Sequence, residues 1–524
     1  MIKSTIDPDC TGQFSPLFLD YIQQNEKLRP FYHLFPSLSN FKSLIQKRSF
    51  DVERRKVLVT SLQAQYAGFE LPDITQQNIL SLNHATTFTV TTGHQLNLYT
   101  GPLYFIYKIV STINLADKLR QTYPAYHFVP VYWMASEDHD FAEINHYYFD
   151  GEEYAWHTDQ KGAVGEFILD AGIRDLLDKA SFTPDFFKKA YLDHTSLAEA
   201  VRDYVNYLFG AKGLIVVDGN SSDLKALFKS TIKDDLIRHS AQQLVGETTR
   251  KLEELGYKSQ IYPREVNFFY LDKGIRERIE KVGGNYQVLE SNLSFTAAEI
   301  EQLIETQPEK FSPNVVMRPL YQETILPNLA YIGGPAEVAY WLQLKDMFDH
   351  YGVDFPAVMP RNFVMVLDNY SQRKMDALKL NDQDVFMDFD QWKKHFVINH
   401  AEQDVTLSQE KNQLADIFQA IEEKAALADL TLKPAAVAAH KRASKILEQF
   451  STKLRKAEER KLRTALDRMQ HLKQRLFPHG SPQERISNFL QFYLEDPAFI
   501  DKLYPHLDPL DFDFIMLRTN GDKS

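Results

Sequence analysis

Polar and apolar positions alternate through "TTFTVTT", residues 86–92, with Phe88 and Val90 on one side. That period of two predicts a half-buried strand. From Pro102 the apolar side chains fall instead at Leu103, Ile106, Tyr107, Val110 and Ile113. Steps of three and four predict an amphipathic helix running to about Arg120, and proline suits its first turn, where the missing N–H has no intrahelical partner. "FVPVYWMA", 128–135, reads as a short buried strand. Strand, glycine turn, helix and strand form a βαβ unit, which implies a parallel pair.

The same signature returns in "LAYIGGPAEVAYWLQLKDMFDHYG", 329–352, where an apolar run meets Gly333-Gly334-Pro335 and a helical pattern follows. "FPAVMPRNFVMVLD", 355–368, predicts one or two strands, and "GLIVVDGN", 213–220, another. The first 384 residues therefore predict an α/β core with a mostly parallel sheet, carrying insertions at about 150–205 and 221–310.

After residue 385 the pattern changes. Leu407, Leu414, Ile417 and Ile421 make a narrow apolar seam; Leu447, Phe450, Leu454 and Ala457 make another, which resumes at Leu462, Ala465, Met469, Leu472 and Leu476. Near-heptad spacing predicts an antiparallel coiled-coil hairpin over 385–480, turning near "DLTLKP" and ended by Pro478 and Gly480. The remaining stretch, 481–524, is amphipathic and then strand-like, and is expected to pack back on the body.

Composition narrows the partners. Hydrophobic residues make up 44% and charged residues 25% of 524, an ordinary globular balance. A net charge of −12 argues against whole-protein attraction to nucleic acid or an anionic membrane. The second long helix departs from this: residues 441–475 hold twelve Lys or Arg against four Asp or Glu. Such a stripe is ordinarily a solvated face, and its sharper reading is contact with a polyanion such as a nucleotide phosphate. The single cysteine, Cys10, excludes an internal disulfide framework and any multi-cysteine zinc site. No run approaches the roughly 20 apolar residues of a membrane span, and the first residues lack a signal-peptide core. The expectation is a cytoplasmic protein with no membrane or nucleic-acid partner.

In open parallel sheets, ligands sit where strand ends lead into helices, and three clusters of candidate residues lie at such places. The first is the turn after residue 92. Gly93 and Gly101 allow close approach of a phosphate, His94 and Gln95 can donate to it, Asn97 and Tyr99 add donors, and Lys108 can reach back toward the mouth. The second is "SEDHD", where Glu137, Asp138, His139 and Asp140 could hold an ammonium or orient a base. Capping and surface charge would also explain that cluster. His139, Glu143 and His146 resemble metal-ligand spacing, but no metal is assigned. The third comprises Gly333, Gly334 and Glu337, which could shape a pocket or bind an amine, although Glu337 also suits a helix start. Arg318 and Arg361 near predicted strand ends are candidate carboxylate or phosphate clamps.

"TTGHQLNLYTGPLYFIYKI", "VPVYWMASEDHDFAEINH" and "YIGGPAEVAYWLQLK" resemble the signature stretches of the bacillithiol-synthesis cysteine ligase family, BshC. "FLDYIQQNEKLRPFY" and "RLFPHGSPQERISNFLQFYLEDPAFIDKL" are similar to it too, so the resemblance covers nearly the whole chain. It implies a Rossmann-type core with connecting insertions, a coiled-coil domain and a homodimer. It also implies an activity, joining cysteine to the amine of glucosaminyl malate, with ATP or another acyl-activating nucleotide and no metal beyond magnesium accompanying it. Thr91-Thr92-Gly93-His94 fits the Thr/His-x-Gly-His pattern of class I nucleotidyl-transfer enzymes, to which the family core is similar. Many members carry glutamine where this chain has His94, which implies that a hydrogen-bond donor is what the position needs. The family is also associated with a nucleotide site near the coiled coil, which would suit the basic helix.

The reading of the three clusters, applied to the implied activity, gives catalysis to His94, Asp138 and His139. It assigns phosphate to Gly93 and Gly101, and substrate contacts to Gln95, Asn97, Tyr99, Lys108, Glu137, Asp140, Arg318, Gly333, Gly334, Glu337 and Arg361. Two other readings remain open: a nucleotidyltransferase acting on another small acid or phosphate, and a non-catalytic small-molecule sensor with the hairpin as a docking arm.

Overall fold

The computed structural model describes residues 1–519, so the last five residues of the C-terminal segment lie outside the described residues. The chain divides into two units: one built from Lys3–Met365 and Ser481–Leu517, the other centred on Val366–Gly480.

In the first unit, β1 (Thr87–His94) leads through a tight turn to α1 (Tyr104–Thr122), β2 (His127–Met134) and later β3 (Ile215–Asp218). An antiparallel insertion follows: β4 (Phe268–Asp272), β5 (Ile275–Val282), β6 (Asn285–Val288), β7 (Ser294–Phe295) and β8 (Phe311–Pro313). The chain then re-enters the main sheet through α2 (Met317–Ile325), β9 (Asn328–Gly333), α3 (Pro335–Trp341) and β10 (Ala357–Pro360). The main sheet has the order β10-β9-β1-β2-β3, and all its pairs are parallel. The chain winds outward from β1 in one direction and returns beside β1 to wind in the other, a Rossmann-like, doubly wound arrangement whose switch point lies between β1 and β9. The insertion forms its own sheet, in the order β7-β6-β5-β4-β8.

Two expectations need correcting. β1 is not half-buried: all eight of its residues are buried. Its polar positions face neighbours rather than water, with the Thr89 and Thr91 hydroxyls donating to Asn328 Oδ1 and Thr92 to the Ile332 carbonyl. Threonine keeps the β-branched fit to a central strand while satisfying its own hydroxyl. Likewise α1 is not a one-sided amphipathic helix. The sheet covers one side, and on another Asn114 Nδ2 donates to the Tyr504 and Leu507 carbonyls of the returning C-terminal segment.

In the second unit, α4 (Phe389–His400) precedes a long pair, α5 (Ser408–Ala428) and α6 (Lys433–Lys461), with the turn at Leu430–Leu432. α7 (Arg463–Leu476) continues after a break at Leu462, so the second arm is two helices where the sequence pattern suggested one. The seam residues Met469, Leu472 and Leu476 are buried. Lys473 donates to the Val385 and Met387 carbonyls at 2.6 and 2.8 Å.

Candidate active site

A cavity of about 580 Å³ lies in the first unit at the carboxyl ends of β1, β2 and β9. This is the switch point, where a ligand meets loop backbone rather than strand edges. Of the residues singled out in the sequence, Gly93, His94, Gln95, Lys108, Glu137, Asp138, His139, Arg318 and Glu337 line it.

Gly93 is held by close approach rather than by a left-handed turn. A Cβ there would come within 3.0 Å of the Tyr331 hydroxyl and 3.6 Å of Arg318 Nη1. Its carbonyl accepts from Lys108 Nζ at 2.8 Å, and the same ammonium pairs with Glu337 Oε2 at 2.5 Å. Glu337 also accepts from the Tyr331 hydroxyl at 2.5 Å and from the Gly334 N–H at 2.8 Å. Burial resists ionisation of Glu337, but Lys108 and these donors outweigh it and hold the carboxyl below its usual range. Gly333 and Gly334 do not line the cavity; a Cβ on Gly333 would sit 2.8 Å from Glu337 Cβ, so its contribution is room for Glu337.

The other two acids are paired as well. Glu137 takes a hydrogen bond from Lys225, a wholly buried lysine that also donates to the Phe311 carbonyl at 2.6 Å. Asp138 accepts from Gln95 Nε2 at 3.0 Å and from the His139 N–H at 2.7 Å, with Arg276 Nη1 at 3.7 Å. Burial opposes its charge, but hydrogen bonds from His139 and Gln95 and the Arg276 guanidinium hold it well below the ordinary carboxylate value. With Glu137, Asp138 and Glu337 each matched to a cation, Arg264, Arg278 and Arg318 remain on the lining without a carboxylate partner among the described residues. Arg318 is oriented by Gln322 Oε1 at 2.9 Å and the Tyr340 hydroxyl at 3.3 Å.

The two histidines of the cavity differ in tautomer. His94 Nδ1 lies 3.0 Å from the Gln95 carbonyl, which can only accept, so Nδ1 carries the proton. Its Nε2 therefore presents a lone pair, and it is buried without a partner among the described residues. Burial first, and the Lys108 charge second, push the His94 pKa down to about 3, so the ring is neutral at any working pH. His139 is the reverse. Its Nδ1 lies 2.6 Å from Arg276 Nη1, which can only donate, and the ring proton sits on Nε2.

Other expected site residues lie elsewhere. Asn97, Tyr99 and Gly101 do not line the cavity. The Asn97 carbonyl accepts from the Tyr204 hydroxyl, and the Tyr99 hydroxyl meets Thr183 Oγ1 within an aromatic cluster. Gly101 has φ 65°, and a Cβ there would meet Asn97 Cβ at 2.6 Å, so it serves the turn. The place expected for a phosphate beside Gly101 is filled by protein: the Leu103 N–H donates to the Ser487 carbonyl, and Asn488 Nδ2 donates to the Tyr99 and Gly101 carbonyls. The returning C-terminal segment thus occupies the place reserved for the anion. Asp140 is exposed and off the lining. Arg361 is not a clamp facing the cavity. Its Nη1 and Nη2 reach the two carboxylate oxygens of Glu484 at 2.8 and 2.6 Å, both side chains being almost fully buried. His139, Glu143 and His146 do not form a metal-ligating group among the described residues.

Arg264, Arg276, Arg278 and Lys225 escaped the sequence reading because they come from the insertion. A signal was present: Asp272-Lys273-Gly274 between two β-patterned runs marks a hairpin, and that hairpin is the β4–β5 connection, with Gly274 at φ 72°. In the second unit, a shallow basic depression of about 800 Å³ is lined by Lys393, Lys453, Lys456, Arg460 and Arg463, with Glu459 and Asp467.

Comparison with known proteins accounts for both units. Bacillithiol biosynthesis BshC, N-terminal Rossmann-like domain, matches residues 1–362, and its C-terminal coiled-coil domain matches residues 364–519. A Flavobacterium psychrophilum protein named "Putative cysteine ligase BshC" is 41% identical over 97% of this chain and 98% of its own length. The protein of that name from Cytophaga hutchinsonii is 41% identical over 96% of each chain, and the one from Chlorobaculum tepidum 29% identical over 94% of each. The chain belongs to the bacillithiol biosynthesis BshC family.

Proposed function

We propose that this BshC-family chain is a ligase that forms an amide bond between cysteine and the amine of glucosaminyl malate, with ATP as the activating co-substrate. The observation that carries this reading is the charge pattern of the switch-point cavity. Its three acids are already neutralised, which leaves three guanidiniums and one unprotonated imidazole to face the ligand. Guanidinium forks match carboxylates and phosphates in geometry. Two malyl carboxylates and a phosphate-activated acyl group are anions of that kind.

A free carboxylate does not condense with an amine in water, so a carboxylate oxygen of cysteine first attacks a phosphorus of ATP, forming a mixed anhydride as the P–O bond to the departing pyrophosphate or ADP breaks. The amine nitrogen then attacks the acyl carbon, the C–N bond forms, the C–O bond to phosphate breaks, and the phosphate leaves with that electron pair. Arg264, Arg278 and Arg318 hold the anionic groups, and Asp138, kept ionised and paired with Arg276, positions Gln95 and His139. The His139 Nε2–H donates to an oxygen of the acyl phosphate. His94 Nε2 accepts the N–H of the attacking amine. The phosphate charge opposes the field of Lys108 and raises the proton affinity of His94, so the ring can take the proton as the new bond forms. Orientation of the two substrates supplies several kcal/mol more.

The hairpin of the second unit joins two copies into a homodimer, and the basic depression beside it suits a polyphosphate. The test is direct. Purified protein is given cysteine, glucosaminyl malate and ATP; mass spectrometry follows the product thiol, and release of pyrophosphate or phosphate is measured in parallel. Formation of the thiol with stoichiometric ATP cleavage is expected. A folded protein that yields neither product nor nucleotide cleavage would sink the proposal. Pyrophosphate release that does not depend on cysteine would favour the nucleotidyltransferase.

A further inference from the structure

The first unit has another cavity, of about 640 Å³, at the opposite edge of the parallel sheet. Asn328 and Leu329 at the start of β9 and Phe355 and Pro356 just before β10 form part of its wall. Strands of six to eight residues put this edge roughly 20 Å from the carboxyl ends. None of the residues proposed for ligase chemistry lines it.

Its charge is one-sided. Arg29, Lys47, Arg48 and Lys345 face it against a single carboxylate, Asp354. Lys345 and His33 share a neighbouring acid, Asp349, at 2.6 and 2.8 Å, and Arg48 is matched by Glu323 and Asp354 at 3.5 and 3.6 Å, which leaves Arg29 and Lys47 in excess.

Arg48 is the built part of the site. Its side chain is 4% exposed. Nη1 donates to the Asp354 carbonyl at 2.9 Å, and Nη2 to the Leu326 and Glu323 carbonyls at 3.0 and 3.1 Å. Glu323 Oε2 stands 3.5 Å from Nη2, and Glu323 is itself held by Asn328 Nδ2 at 2.7 Å and Gln322 Nε2 at 2.9 Å. The Arg48 Nε–H is buried and has no acceptor among the described residues. Arg29 commits only Nη1, to the Tyr32 and His33 carbonyls at 3.0 and 2.8 Å, and the exposed Lys47 makes no ion pair among the described residues.

We propose that this cavity is a second ligand site, for a small organic anion whose carboxylate or phosphate meets Arg29, Lys47 and Arg48 and whose apolar body lies against Pro30, Tyr32 and Phe355. The site stands apart from the ligase reading and does not depend on it. Calorimetric titration of the full chain with phenyl phosphate and, separately, with benzoate tests it. At least one probe is expected to bind with unit stoichiometry, and the tighter of the two identifies the anionic group. Measured in Arg264→Ala/Arg278→Ala, which removes two of the switch-point guanidiniums, this binding should persist, and adding Arg29→Ala/Lys47→Ala to that variant should weaken it tenfold or more. Lys47→Glu, which alters an exposed side chain only, should weaken binding without lowering the melting temperature. No binding of either probe overturns the proposal. So does binding that follows the Arg264 and Arg278 changes and ignores those at Arg29 and Lys47.

Discussion

α1 and α5 are close in length, at 19 and 21 residues, and opposite in environment. Twelve residues of α1 are buried, among them Lys108, Ser111 and Thr112; α5 buries none. Ile417 and Ile421 on α5, and Ile446 and Phe450 on α6, are 57, 42, 65 and 54% exposed. The first helix is stabilised by what surrounds it, and its polar groups are fixed by partners. The second has only the facing arm of the hairpin. Helices in proteins draw most of their stability from packing of an apolar face rather than from intrinsic propensity. A seam left half in water therefore points to a further surface that covers it. Chemistry needs the first kind of helix, where each donor has one place to be; assembly can use the second.

The contrast can be broken at its buried end first. His94→Ala, which removes the lone pair beside α1, is expected to lower kcat by about 10²–10⁴-fold, the usual size of a general-base contribution. His94→Gln should recover positioning of the amine but not the proton transfer, because an amide oxygen accepts a hydrogen bond without taking a proton, so its rate should stay well below the parent's. Single-turnover measurement of the product thiol checks both, and an unchanged rate in His94→Ala would remove the base from the scheme.

Lys108→Met should come next. It leaves Glu337, 23% exposed at the cavity wall, without its cation, at a cost below the ~3–5 kcal/mol of a fully buried pair. Urea unfolding should show the loss, and adding Glu337→Gln should restore part of it.

At the exposed end, Ile417→Asp with Ile446→Asp is expected to change the stability of the single chain by no more than about 0.5 kcal/mol, as surface substitutions do. The same change should abolish dimerisation in sedimentation analysis. A large drop in melting temperature with the oligomeric state unchanged would show instead that the seam is already covered within one chain.

The last test is a pH slope. Burial pushes the Asp235 carboxyl up to about 7 from 3.8 against the hydrogen bonds of Asn267. The folded state therefore holds a proton that the unfolded chain releases near 3.8. Its stabilising contribution is full below that value and is lost as pH rises through about 7. The melting temperature should fall between pH 5 and 8 more steeply in the parent than in Asp235→Asn.

The βαβ unit around Gly93, the second turn at Gly333-Gly334-Pro335 and the helical hairpin could be read directly, because each is written in consecutive residues whose period matches the element. The cavity was half legible. His94, Asp138, Lys108 and Glu337 stand at strand ends or a few residues into the following elements, where any parallel sheet puts its ligands. Arg264, Arg276 and Arg278 were not legible. Arg276 and Arg278 reach the cavity from β5 and Arg264 from the segment before β4, all more than a hundred residues from β1 in the chain. Arg361 misled for the converse reason. It stands after a strand as a clamp would, but its partner Glu484 lies 123 residues away.

Local sequence determined which segments are strands and helices, where the turns fall, and that one part of the chain is a parallel-sheet core and the other a helical hairpin. Period, glycine placement and seam spacing act within a few residues of one another. The tertiary structure alone decided which charges are spent and which are free, which nitrogen of each histidine holds the proton, and that residues 487 and 488 seal the helix start behind Gly101. Those outcomes depend on desolvation and on partners distant in sequence, and both exist only once the chain has folded.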